Sequence, residues 1–528
     1  MKMALAQMNP VVGDLKGNAL KITEYITKAR NSGCDLAVFP ELSLTGSPLQ
    51  GLVRVKDFIR DCGDEINRIA EYTDGIGVLV GTVYHDECNG LHNAALLIEN
   101  RQIVGYVTKQ DLPSYGRSDK YGNTSSPSKN GELVFRGERL SVVIGGDIEK
   151  ESYNELFKSS DIIINMSANT YRYGNVECIF ESLCRTAGKY RTPVVYVNQA
   201  GGNDDLVFTG ASMVADENGR IIAAAQRFDE DMIFFDTGHS YTPMPDIKED
   251  ISWLYHALVQ GIRDYFRKSG FKKTLLGLSG GIDAALVACI AADALGPENV
   301  LGVYNPSRYS SEHSRQDAQR LAENLGIEYR VIPIEDIFVE YLKIFNGQPA
   351  TVGDVAEENI QARIRGSLWM FIANRENRVV LSTSNRSESA VGYTTIYGDM
   401  CGGLSPISDI PKTLVYEICR YINRQREIIP NNIFVKPPSA ELRPDQKDED
   451  SLPPYEVLDA ILSMYIDEEL SIEEMVDRGY DRNTVSRVLN MVQRSEYKRR
   501  QAPLSVRVYS PVEKRRRMNP VVHGYSWV

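Results

Sequence analysis

The chain has 528 residues, a formal net charge of −12, and 42% hydrophobic and 25% charged residues. This is ordinary globular usage, long enough for about two to four domains with sizeable cores, and its negative balance argues against a nucleic-acid footprint. No stretch approaches the roughly 20 apolar residues that span a bilayer. Eight cysteines are scattered without a CxxC pair or a Cys/His cluster at metal spacing, so they read as reduced thiols of a cytoplasmic protein.

The run Met1 to Met8 becomes polar too early for a signal peptide and predicts a first strand. Leu15, Ala19, Ile22, Ile26 and Ala29 fall on one face at helical spacing. Strand-like runs follow at 36–39, 76–84, 94–98, 142–144, 162–165 and 194–198, and Asp216-Glu-Asn-Gly219 between apolar runs predicts a hairpin turn. Pro, Gly and Ser cluster over 237–246, which reads as a linker. The pattern then changes. Helix (251–267), strand (274–278), helix, strand (299–304), helix (311–325), strand (328–334), helix (358–375) and strand (379–383) alternate, predicting βαβ units in a doubly wound parallel sheet. Such sheets bind ligands at the carboxyl ends of their strands, where the Ser279 loop and Ser382-Thr-Ser-Asn385 both fall. There is no internal repeat and no low-complexity tract.

The segment Thr274 to Ala284 carries the strongest chemical signal, because an apolar strand runs into Gly280 and Gly281 and then into a long apolar helix. Two glycines let the backbone approach an anion, and the free N–H groups of the helix point at it. Ser279 adds a hydroxyl donor, and Asp283 is placed to hold a metal ion that bridges phosphates. A bare Gly-Gly after a strand reads equally well as an ordinary tight turn.

The order Ser-Gly-Gly-x-Asp from Ser279 to Asp283 resembles the pyrophosphate loop of the N-type ATP pyrophosphatases, which split ATP between its α and β phosphates to form an adenylate. Further runs, among them Glu357 to Arg365, Ala390 to Tyr393, Pro411 to Thr413, Ser439 to Tyr455 and Glu496 to Pro503, resemble the synthetase half of the glutamine-dependent NAD+ synthetases. With the first half considered below, the resemblance covers nearly the whole chain. It implies a ligase that amidates deamido-NAD+ with ATP as co-substrate and Mg2+ as cofactor. In that family's pattern Gly277, Leu278, Ser279, Gly280, Gly281, Ile282, Asp283 and Ala284 cradle pyrophosphate and Thr383 contacts ATP. Asn359, Glu388 and Lys498 contact deamido-NAD+, and Asp283 and Glu388 bind the metal. Lys498-Arg-Arg500 reads either as a solvated charged stretch or as cations for the dinucleotide phosphates. The acidic loop Asp445 to Asp450 resembles a lid over the nucleotide. Two departures stand out. Ala284 replaces a usual Ser, and Ser384 and Arg386 stand where Gly and Lys are usual, so ATP affinity is expected to weaken at most.

Residues 1–245 resemble the carbon-nitrogen hydrolase (nitrilase-like) glutaminase domain, which implies an αββα sandwich, and 250–528 form the synthetase domain of adenine nucleotide alpha hydrolase type. Phe39-Pro-Glu-Leu42 supplies the general base Glu41, and Lys109-Gln-Asp-Leu-Pro-Ser-Tyr-Gly116 supplies Lys109 and the glutamine-contacting Tyr115. In such domains a Cys thiolate attacks the amide of glutamine and the Lys stabilises the tetrahedral intermediate. The Cys sits in an Ile-Cys-Glu-Asp run, which here reads Ile144-Gly-Gly-Asp147, so Gly145 stands at the nucleophile position. Cys34, Cys178 and Cys184 read as structural rather than as substitutes. Asn169, Asn175 and Lys120 also depart from the family's substrate contacts. The domain is therefore expected to be a silent glutaminase with a role in homo-oligomer assembly, and ammonia to come from solution or a separate glutaminase. Two other readings stay open: an ATP pyrophosphatase acting on another carboxylate or carbonyl, and an inactive nucleotide-binding scaffold. Retention of Asp283, Asn359, Thr383, Glu388 and Lys498 argues against the scaffold.

Overall fold

The computed structural model describes residues 1–85, 90–110, 131–245, 247–344, 354–511 and 519–525. The chain divides into two compact units, Met1–Glu249 and Asp250–Val528.

The strands of the first unit are β1 (Lys2–Gln7), β2 (Leu36–Val38), β3 (Gly77–His85), β4 (Leu91–Glu99), β5 (Gln102–Thr108), β6 (Glu132–Phe135), β7 (Glu138–Ile144), β8 (Ile162–Ser167), β9 (Val194–Asn198), β10 (Ala200–Asn203), β11 (Leu206–Thr209), β12 (Met213–Ala215), β13 (Ile221–Ala224) and β14 (Asp231–Asp236). They form two six-stranded sheets, β14-β1-β2-β3-β4-β5 and β13-β12-β9-β8-β7-β6, with β10 and β11 as a separate pair. Met3, Leu5, Leu36 and Val38 of one sheet share a core with Leu140, Val142, Ile162 and Ile164 of the other. The alternate residues Ala4, Ala6, Ala37 and Val78 face the opposite way, under the helices Leu15–Asn31 and Lys56–Ala70. On the second sheet the helix Val176–Tyr190 packs against β9 and β12. Both faces of each sheet are thus covered, which explains why these strands read as nearly unbroken apolar runs. The result is an αββα sandwich. Leu15, Ala19, Ile22, Ile26 and Ala29 are all buried on the first helix, and the hairpin at Asp216 closes with its carboxylate accepting from Asn218 N at 3.0 Å and Arg220 N at 2.8 Å. The stretch 237–249 stays with the first unit. At its end Tyr171 Oη donates to Glu249 Oε1 at 2.7 Å and Gly174 N to Glu249 Oε2 at 2.9 Å.

The second unit contains β15 (Lys273–Gly277), β16 (Val300–Tyr304), β17 (Glu328–Val331), β18 (Arg378–Leu381), β19 (Leu404–Ser405) and β20 (Leu504–Ser505) in the order β17-β16-β15-β18-β19-β20, every pairing parallel. From β15 the chain winds outward to β16 and β17, then crosses back to β18, so a switch point lies at the carboxyl end of β15. The two-residue strands β19 and β20 carry no periodic signal and are absent from the sequence-based elements. A second apolar core forms among the helices Tyr455–Ile466, Ile472–Asp477 and Arg482–Arg494. Among the described residues no helix is long and apolar enough to cross a membrane.

Ile164 is fully buried in the core between the two sheets. Ile164→Ala is expected to remove about 2–4 kcal/mol from the first unit, read as an earlier denaturant midpoint for that unit alone.

Candidate active sites

In the second unit β15 delivers its chain end to the switch point. Leu278 N donates to Val303 O at 2.9 Å, which prolongs the strand pairing by one residue before the turn. Gly280 then takes a φ of +78°, and a Cβ built there would lie 2.4 Å from Ser314 O, so the position requires glycine. Gly281 N donates to Ser279 Oγ at 3.2 Å. Gly281 also caps the helix Ile282–Leu295 without a side-chain hydrogen bond, leaving the first-turn N–H groups to point outward. Ala284 is buried on this helix.

One cavity is lined by Gly277 to Ala284, Thr383, Glu388, Lys412 and Asp448. Within it Lys412 Nζ, almost fully buried, pairs with Asp283 Oδ2 and lies 3.3 Å from Glu388 Oε1. Asn385 Nδ2 donates to Asp283 Oδ1 at 3.0 Å, and Tyr455 Oη donates to Asp448 Oδ2 at 2.8 Å. Three carboxylates therefore surround one ammonium. Burial pushes the Glu388 carboxyl well above the usual carboxylate range, with Asp283 and Asp448 adding to the effect and Lys412 opposing it. Burial acts against the charge of Lys412 as well, but Asp283 and Glu388 outweigh it and hold the ammonium above its ordinary value.

Asn359 and Lys498 do not line this cavity among the described residues. Both instead brace the segment 392–395: Thr395 Oγ1 donates to Asn359 Oδ1 at 2.8 Å, and Lys498 Nζ donates to Gly392 O at 2.8 Å and Thr394 O at 2.6 Å. Burial draws the Lys498 ammonium below its ordinary value. Arg499 and Arg500 are also engaged within the chain, on Glu496 and on the carbonyls of Ala390, Val492 and Asn519. Lys498, Arg499 and Arg500 are thus each hydrogen-bonded within the chain, with Arg500 remaining exposed.

Sequence reasoning assigned no role to Lys412 or Tyr455, and placed Asp448 only within the lid-like loop Asp445 to Asp450. Lys412 left a trace: it opens the helix Lys412–Ile422, where the helix dipole disfavours a cation, so an anionic partner had to be nearby.

In the first unit four strand ends converge. Glu41 follows β2, Lys109 follows β5, Gly145 follows β7 and Ala168 follows β8. The turn 40–42 is pressed onto β3, where a Cβ on Gly81 would lie 2.3 Å from Pro40 O. Glu41 is buried and accepts from Lys109 Nζ at 2.7 Å, Asn93 Nδ2 at 2.7 Å and Ala168 N at 3.2 Å. Gly145 has a φ of +57°, and a Cβ there would sit 2.8 Å from Lys109 Nζ and 3.1 Å from Glu41 Oε2. A side chain at residue 145 would thus enter between the ammonium and the carboxylate. Asp147 accepts from Gln110 N at 2.7 Å, which ties the turn after β7 to the end of β5. Among the described residues no thiol or hydroxyl is hydrogen-bonded to Glu41. Cys34 is buried, Cys184 half-buried and Cys178 exposed. Asn169 is absorbed internally, its N donating to Asn198 Oδ1 at 2.8 Å and its Nδ2 to Tyr196 Oη at 3.1 Å, and Asn175 precedes the helix Val176–Tyr190 without capping it through its side chain. Tyr115 and Lys120 lie outside the described residues.

The two folds and their sites define an enzyme that joins a carbon-nitrogen hydrolase domain to an ATP-using synthetase. The family pattern described as NAD synthase matches residues 254–502, and that described as carbon-nitrogen hydrolase matches 2–154 and 158–240. The chain is 41% identical to the glutamine-dependent NAD(+) synthetase of Synechocystis sp. (96% of each chain) and 40% identical to that of Thermotoga maritima (96% of each). Its structure resembles that of glutamine-dependent NAD+ synthetase from Acinetobacter baumannii in complex with adenosine diphosphate, with a TM-score of 0.78 and 34% identity over 100% of this chain and 99% of that one. A glutamine-dependent NAD(+) synthetase from Cytophaga hutchinsonii shares the fold, with a TM-score of 0.85 at 21% identity over 99% and 98%. The chain belongs to the glutamine-dependent NAD(+) synthetase family, ligases that form carbon–nitrogen bonds.

Lys412→Met is expected to leave Asp283 and Glu388 buried without their shared cation. The second unit should lose about 3–5 kcal/mol of unfolding free energy, read as an earlier denaturant midpoint, together with loss of ATP-dependent product.

Proposed function

We propose that this chain converts deamido-NAD+ to NAD+ with ATP and ammonia, and that its first unit does not hydrolyse glutamine. The observation that carries the first part is the single cavity shared by the glycine loop, Asp283, Glu388 and Lys412. A carboxylate cannot expel oxide at neutral pH, so the deamido-NAD+ carboxylate attacks the α-phosphorus and pyrophosphate leaves. Ammonia then displaces AMP. The backbone N–H groups at Gly280 and Gly281 and the following helix terminus hold the pyrophosphate, while Lys412 offsets its charge.

Asp283 and Glu388 suit a divalent cation, since their oxygens already converge on one ammonium. Among the described residues no three His, Cys, Asp or Glu side chains form a metal site by themselves. Mg2+ requires no such cage, because one or two carboxylates plus substrate phosphates and waters suffice. Bound there, Mg2+ would neutralise charge on the transferring phosphate. Asn359 and Lys498 would act on the deamido-NAD+ side by holding segment 392–395, and Thr383, which lines the cavity just beyond β18, would contact ATP.

The second part rests on Gly145, which offers no side chain between Glu41 and Lys109. Loss of a covalent nucleophile costs on the order of a million-fold in rate. Ammonia then comes from solution or a separate glutaminase, and the first unit is kept for assembly of a homo-oligomer.

The decisive assay is NAD+ formation from deamido-NAD+ and Mg-ATP with ammonium or glutamine as sole nitrogen source. Product with ammonium alone is the expected outcome. Product with glutamine at a comparable rate would refute the silent glutaminase, and product with neither would refute the synthetase reading. Removal of Mg2+ by EDTA is expected to abolish the ammonium-supported rate.

A further inference from the structure

The segment 436–450 contributes Pro438, Ser439, Glu441 and Asp448 to the lining of the nucleotide cavity. One residue does most of the fastening. Glu441 has a φ of +49°, a region that residues with side chains use sparingly. Its carboxylate accepts from Lys436 Nζ at 2.6 Å, Ser314 Oγ at 2.8 Å, Ser311 Oγ at 2.9 Å and Ser311 N at 3.2 Å. Ser311 caps the helix Glu312–Leu325, so the carboxylate also lies at the positive end of that helix. Burial works against its charge, yet Lys436 and the serine hydroxyls outweigh it and keep this carboxyl below the usual range.

The same contacts reach the phosphate loop. Ser314, which donates to Glu441 through its hydroxyl, presents its carbonyl oxygen 2.4 Å from where a Cβ on Gly280 would be. Beyond Glu441 the segment is held by Gln361 Nε2, which donates to Leu442 O at 2.9 Å, and folded back by Asp448 N, which donates to Pro438 O at 3.0 Å. This return brings Asp448 into the cavity, where its buried Oδ1 has no hydrogen-bond partner.

We propose that Glu441 is a positioning residue: it fastens segment 436–450 over the nucleotide cavity and seats Ser314 against Gly280, so that closure of the segment and shaping of the phosphate loop are one event. The ligand whose binding it controls is a nucleoside triphosphate, so the inference rests on the ATP-dependent reading above. Glu441 touches neither reacting atom. Its effect is exerted through Ser314 and through delivery of Asp448.

The test compares the full-length protein with Glu441→Gln and Glu441→Asp. Charge-assisted contacts of this kind are worth roughly ten- to a hundred-fold in an equilibrium, so Glu441→Gln is expected to raise the KM for ATP by about that factor. The kcat and the KM for deamido-NAD+ should change little, and Glu441→Asp should recover part of the loss. Hydrogen–deuterium exchange in Glu441→Gln should quicken over residues 436–450 while β15 and β18 remain unchanged. A wild-type KM for ATP in Glu441→Gln would overturn the proposal. So would faster exchange spread through β15 and β18, because that marks a general loss of stability. If the wild-type protein makes no NAD+, the functional reading fails by itself, while binding of Mg-ATP and the exchange pattern still decide the role of Glu441.

Discussion

The second unit is organised around a buried ammonium. Lys412 comes from the helix Lys412–Ile422, Asp283 from the helix after β15 and Glu388 from the helix after β18, and the three side chains meet in the cavity at the carboxyl end of β15. None of these groups is stable there alone, since a buried ion without partners costs several kcal/mol. Two of the chain connections that flank the switch point are therefore pinned to one cation. The cluster sits at the end of a parallel sheet, beside outward-facing helix N–H groups, where such folds take up anionic ligands.

The first unit answers the same physical problem differently. Glu41 and Lys109 neutralise each other and Asn93 Nδ2 takes up a further lone pair of Glu41, while the buried Oδ1 of Asn93 has no hydrogen-bond partner among the described residues. The strand ends that build this site are fixed by the core between the sheets, which depends on Leu140, Val142 and Ile164 and not on Gly145. Preservation of the fold and preservation of activity are separate matters in this unit.

Much of this arrangement was legible in the chain. Apolar runs predicted β3, β8, β9 and β15 to within a few residues, because strands covered on both faces leave a continuous signal. Helix Leu15–Asn31 was readable from the spacing of its buried face. The glycine loop was readable because only glycine tolerates both the φ of Gly280 and the approach of Ser314 O. Strands β19 and β20 were not, since two residues paired across long sequence separations carry no period. Lys412 was also missed, because its role depends on two carboxylates distant in sequence that meet it only after the sheet has formed.

Local chemistry thus indicated the longer apolar strands, the glycine turn after β15, and that residue 145, a glycine, carries no nucleophilic side chain. Those features depend on one residue's backbone freedom or on the pattern of a short run. Only the folded chain decided that Lys498 supports carbonyls of the 392–395 segment, that Lys412 bridges Asp283 and Glu388, and that Glu441 reaches Ser311 and Ser314. The physical reason is that a polar side chain finds its partner through long-range packing, and burial then makes the partner obligatory.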